Sequence, residues 1–146
     1  MEVFNDEYWM REAVKEAHRA FEADEVPVGA VVVCNNRIIG KGHNLTERLR
    51  DVTAHAEMQA ITAAANYLGS KFLEECTLYI TLEPCVMCAG AIFWARPAKL
   101  IYGASDPKRG FSYLGKNILH PSTKVEHGLM SNEASALLKV FFQKLR

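Results

Sequence analysis

The sequence predicts an α/β domain in which helices are layered on a mixed β-sheet. After a first helix, segments of strand and helix character follow in the order hairpin, helix, strand, helix, strand, helix, and that alternation is what layered α/β domains produce. The 146 residues match the size of one domain with a substantial buried core. With 49% hydrophobic and 23% charged residues and no low-complexity stretch, the composition is that of an ordinary globular protein.

Each element has its own local signal. Asn5 followed by Asp6 and Glu7 reads as a helix cap with acids in the first turn, and Trp9, Ala13, Val14, Ala17 and Phe21 recur at helical spacing, which predicts a helix over 6–23. "VPVGAVVVCNNRIIGKGHN" predicts strands over 28–34 and 37–43 joined by a turn at Asn35 and Asn36. The alanine-rich 54–67 predicts a second helix, with Asp51 or Thr53 placed to cap it and Gly69 to end it. "CTLYITL" (76–82) has the β-branched and aromatic content of a buried strand, and 84–95 follows as a helix with Pro84 at its entrance. A strand over 98–104, connecting material over 105–124, a short strand from Val125 and a helix from Asn132 to about Lys144 complete the order.

Charge and targeting signals narrow the function classes. The N-terminal segment has neither the basic start nor the apolar run of a signal peptide, and no stretch of about 18 apolar residues is present. The expected location is the cytoplasm, with no membrane partner. Net charge is zero, yet residues 1–25 carry eight acidic and three basic side chains, whereas Arg96, Lys99, Lys108, Arg109, Lys116 and Lys124 face only Asp106 within 96–124. This asymmetry fits either a basic binding face or a scattered solvated surface.

Four cysteines in a reducing compartment point to metal binding or redox chemistry before disulfides. Cys85 and Cys88 are three apart at a helix start, so both sulfurs leave the same face of the first turn, where the helix N-terminus favours thiolate. A lone Cys-x-x-Cys also suits a redox dithiol. A zinc ion takes four ligands, and His55, at the start of the second helix, is a candidate of the right type. Two cysteines and one histidine leave a fourth position for water, the mark of a catalytic site. Glu57 is the nearby carboxylate able to move a proton, provided that His55 sits at the turn where its helix begins, since residues two apart on a regular helix diverge. Cys34 and Cys76 lie in apolar strand contexts and read as small buried residues.

His-x-Glu followed by Pro-Cys-x-x-Cys is the signature of zinc-dependent nucleobase deaminases. On the blocks "EVPVGAVVV", "GHN", "DVTAHAEMQA", "TLYITLEPCVMCAGA" and "YGASDPKRG", the chain resembles the cytidine deaminase-like superfamily and, within it, the tRNA-specific adenosine deaminases. The resemblance implies a three-layer α/β/α sandwich with a mixed five-stranded sheet, forming a single domain over 1–146. It implies Zn2+ held by His55, Cys85 and Cys88, with Glu57 as the catalytic proton shuttle. The implied reaction is hydrolytic conversion of adenosine to inosine at the wobble position of a tRNA anticodon stem-loop.

The same resemblance assigns Asn44 to the ribose of the inserted nucleoside and places Val28 and the backbone around Ala56 along the base pocket. It assigns Asp106 to a ribose hydroxyl beside the target base, which is a physical route to preferring RNA. Val28 is equally suited to core packing, and Asp106 to a turn before Pro107. Lys108, Arg109, Lys116 and the Lys144/Arg146 pair are candidates for backbone phosphates, and a homodimer is implied, with the "GAIFWA" helix as a contact surface. The "AIFWA" stretch also resembles free-base guanine deaminases, so deamination of a free nucleobase or nucleoside is the alternative. A non-enzymatic zinc module is the alternative from another class, and it would need no carboxylate beside an open metal position.

Overall fold

A computed structural model describes residues 4–145; Arg146 and the side chain of Lys116 lie outside the described residues. Four helices flank a five-stranded sheet: α1 (Asp6–Glu22), β1 (Gly29–Cys34), β2 (Arg37–His43), α2 (Ala56–Leu68), β3 (Thr77–Leu82), α3 (Val86–Ala95), β4 (Lys99–Ala104), β5 (Lys124–His127) and α4 (Ser131–Lys144). The strands lie in the order β2-β1-β3-β4-β5. β1 runs antiparallel to β2 and β3, whereas β3, β4 and β5 are parallel. The sheet is therefore mixed, as the sequence predicts.

Alternation along the central strands separates two apolar layers. Ala30, Val32, Leu78, Ile80, Leu100 and Tyr102 pack with Ala56, Ala60 and Ala64 of α2 and with Ala89, Ile92 and Ala95 of α3. Val31, Val33, Tyr79 and Ile101 point the other way, onto Trp9, Met10 and Ala13 of α1, and α4 joins α1 on that face. The Tyr79 hydroxyl crosses this second layer to donate to Asp6 at 2.6 Å.

Two close approaches set where the helices sit. A Cβ on Gly29 would collide with the α1 backbone at Ala13 and Ala17, and one on Gly42 would meet Gln59 Cβ, Ala56 O and Ala60 N. Glycine at those positions lets α1 and α2 lie directly on the strands. The cap of α2 differs from the sequence expectation. Asp51 and Thr53 satisfy each other, the Asp51 carboxylate accepting from the Thr53 amide at 2.8 Å and hydroxyl at 2.7 Å. The helix starts later, with His55 at the cap position.

Register brings one edge of the sheet together. Gly29 pairs with His43, Ala30 with Ile80, and Leu82 with Ala104. The start of β1, the end of β2 and the carboxyl ends of β3 and β4 consequently open onto the same side, where open α/β sheets bind ligands. The segment after β4 contains two short 3-10 turns, Phe111–Leu114 and Lys116–Ile118.

Candidate active site

His55 and Cys85 each occupy the cap of a helix in extended backbone conformation, His55 with ψ 158° and Cys85 with ψ 176°. Neither side chain caps its own helix, so the imidazole and the thiol are free to turn toward each other across the gap between α2 and α3. Cys85 Sγ lies 3.7 Å and Cys88 Sγ 3.3 Å from His55 Nδ1. Among the described residues, His55, Cys85 and Cys88 form the group able to hold a metal ion, their ligand atoms all within 4.8 Å of one another. One nitrogen and two sulfurs converging from two helix N-termini suit a borderline-soft divalent cation.

The electrostatics of the trio favour ligation. Hydrogen bonds from Cys88 and His55 pull the Cys85 thiol down to about 3, which makes it the thiolate of the pair. The hydrogen bond to Cys85 and burial push the Cys88 thiol up. The bond to Cys85 raises His55.

Glu57 lies in the first turn of α2 and is 3% exposed. Burial raises its carboxyl to about 7, against the lowering effect of a backbone hydrogen bond and of the nearby His55. His55 stands just outside the helix and Glu57 inside it, so the two side chains reach the same space despite being two residues apart.

That space is a cavity of about 240 Å³ lined by Val26, Val28, Asn44, Thr46, His55, Glu57, Leu82, Glu83, Cys85, Asp106 and Arg109. Asn44 is buried, and its Oδ1 accepts from the Ala56 amide at 2.9 Å, which leaves its Nδ2 donor for another partner. Ala56 itself is fully buried beneath that bond. Val28 belongs to the core and also forms part of the cavity wall. Asp106 turns the chain, its Oδ1 accepting from the amides of Lys108 and Arg109 at 3.1 Å each, and it faces the cavity at the same time.

Several side chains away from the cavity have partners or burial of their own. His43 Nδ1 is 3.3 Å from Glu16, Lys144 reaches Asp24 at 3.5 Å, and the Arg96 guanidinium lies 4.8 Å from the centre of the Phe72 ring. Cys76 is buried, which pushes its thiol up to about 12 and keeps it protonated.

Two buried carboxylates have structural partners that local sequence reading does not expose. Glu25 accepts from the Glu47 amide at 3.0 Å and the Arg48 amide at 2.8 Å. Glu83 accepts from the Asp106 amide at 3.0 Å and from Ser112, amide at 2.9 Å and hydroxyl at 2.5 Å. Each holds a loop beside the cavity.

Comparison with known proteins agrees with this geometry. The MafB19-like deaminase family profile matches residues 4–146. A tRNA-specific adenosine deaminase of Aquifex aeolicus is 48% identical over 96% of this chain and 95% of its own. A solved structure from a study of A-to-I editing by tRNA:A34 deaminases at the wobble position of transfer RNA superposes with a TM-score of 0.83 at 43% identity, covering 89% of this chain and 98% of the other. An X-ray structure of guanine deaminase from Bacillus subtilis gives a TM-score of 0.67 at 42% identity, over 70% of this chain and 66% of that one. Nearly half identical to the Aquifex protein along almost all of both lengths, this chain belongs to the tRNA-specific adenosine deaminases, a family of hydrolytic deaminases.

Proposed function

We propose that this chain, acting as one domain, deaminates adenosine to inosine at the wobble position of a tRNA anticodon stem-loop, with Zn2+ held by His55, Cys85 and Cys88. The observation that carries the reading is the buried Glu57 carboxyl beside a group of three possible metal ligands, one fewer than zinc takes. The donor set fits zinc, which when bound supplies an activated water at neutral pH.

The protein's own groups do the rest. Glu57 holds and moves the proton between water, ring nitrogen and departing amine, a task for which a carboxyl raised by burial is suited. The Asn44 Nδ2 donor orients the ribose, while its Oδ1 fixes the turn that carries His55. Val28 and the backbone around Ala56 hold the base, with Val26 and Leu82 on the cavity wall beside Val28. A cavity of about 240 Å³ admits a nucleoside only after its base has left the stack, and Asp106 accepts from the neighbouring 2′-hydroxyl. Lys108 and Arg109, both exposed beside Asp106, meet the phosphates.

The protein works in the cytoplasm, and among the described residues no helix is long and apolar enough to cross a membrane. Two copies associate; Trp94, 68% exposed on α3, and Val86, 54% exposed, support that reading because large apolar groups there lack cover. The Bacillus subtilis guanine deaminase structure covers less of both chains than the tRNA:A34 deaminase structure, and deamination of a free base is the second reading. Mass spectrometry of an anticodon stem-loop incubated beside free guanine, cytosine and cytidine separates them. Inosine in the RNA is the expected product. Ammonia from a free base, with the RNA unchanged, overturns the assignment.

A further inference from the structure

We propose that Glu83 is a positioning residue that sets substrate affinity by fixing the cavity wall formed by Asp106 and Arg109 against the ligand-bearing helix. The inference deepens the reading of Asp106 and Arg109 as RNA contacts and rests on it for its kinetic consequences.

Glu83 stands where two elements of the site separate. It follows β3 and precedes Pro84 and Cys85, so its backbone is continuous with a metal-ligand candidate. Its side chain turns to the loop after β4. It is 4% exposed, and a carboxylate at that depth is stable only when its oxygens are met by donors. All the donors it meets come from 106–112: Oε1 takes the Asp106 amide, and Oε2 takes the Ser112 amide and hydroxyl. Gly110 passes so close that a Cβ there would overlap the Glu83 carboxylate. The loop is thus wrapped around this carboxylate.

Asp106 turns that anchorage into a wall. Its amide is held by Glu83, while its own Oδ1 is held by the Lys108 and Arg109 amides. The orientation of the Asp106 carboxylate toward the cavity is consequently fixed through Glu83. Two backbone contacts attach the loop independently: Phe111 N–H donates to Pro84 O at 2.9 Å, and Cys85 bridges Gly110. These keep the fold intact when the carboxylate is changed.

Glu83→Gln isolates the effect. The amide is the same size, but its NH2 group must face either the Asp106 amide or the Ser112 amide, donor against donor. The test measures steady-state inosine formation on an anticodon stem-loop by wild type, Glu83→Gln, Asp106→Ala and the double variant, with metal content of each and hydrogen exchange at Asp106, Lys108, Arg109 and Ser112.

The expected result for Glu83→Gln is KM raised about tenfold with kcat within about threefold and metal content unchanged. The double variant should be no worse than Asp106→Ala alone, because both act through one wall. Faster exchange at those four amides should accompany the loss. A fall in kcat at constant KM, loss of metal, or additive penalties in the double variant overturns the inference. If wild type leaves the RNA unchanged, the substrate reading fails by itself. The exchange measurement then decides for Glu83, and unaltered exchange overturns it.

Discussion

Glu57 and Tyr79 show how differently two buried polar groups can be used. The Tyr79 hydroxyl is satisfied by Asp6 at 2.6 Å, and the bond joins β3 to the start of α1. Tyr79→Phe should lower stability by about 1.5–3 kcal/mol in denaturant unfolding, the range for bonds to charged groups, with turnover unchanged. Glu57 instead carries a carboxyl that burial holds near 7, at the edge of an open cavity. Glu57→Gln should retain the metal and reduce turnover about a hundredfold to ten-thousandfold. A variant with full turnover would remove Glu57 from the mechanism. The metal-ligand candidates and Glu57 were legible in the sequence because their chemistry is carried by spacing within two short motifs. The partners of Glu83 and Glu25 were not, since each accepts from amides more than twenty positions away and such pairing leaves no local period.

Helix placement decides whether the site assembles. Gly42 lies directly beneath α2, where an added Cβ would press on Ala56 O and Ala60 N in the turn that follows His55. Gly42→Ala should cost about 1–3 kcal/mol through overpacking and weaken metal binding by shifting that turn, as read by competition with a chromogenic chelator. Gly90, within α3, has nothing within 4 Å of its would-be Cβ. Gly90→Ala should therefore raise stability by about 0.5–1 kcal/mol, measured by urea unfolding. Element order and type were readable from periodicity and turn residues, and strand boundaries fell within a residue or so of the observed ones. The cap of α2 differs from its local signal because the group that takes the Ala56 amide is Asn44, twelve residues upstream across a loop.

The molecule as a whole joins the two halves of its site through the sheet. α2 contributes Glu57, with His55 at its cap, from one motif; α3 contributes Cys88, with Cys85 at its cap, from the other. Any ion bridging them also ties α2 to α3. Chelation should lower the thermal midpoint, since a ligand that binds the folded chain adds to its stability. Cys88→Ser should show that loss without chelator, because a neutral hydroxyl replaces a buried sulfur ligand. A thermal midpoint insensitive to chelator would mean that the ion, if bound, contributes nothing to the fold.

The most direct measurement is X-ray absorption at the zinc edge on the purified protein, combined with metal analysis. The account predicts one zinc per chain with two sulfurs at about 2.3 Å and two lighter neighbours at about 2.0–2.1 Å, one of them exchangeable with solvent. A shell closed by four protein ligands, or sulfur counts other than two, would contradict it.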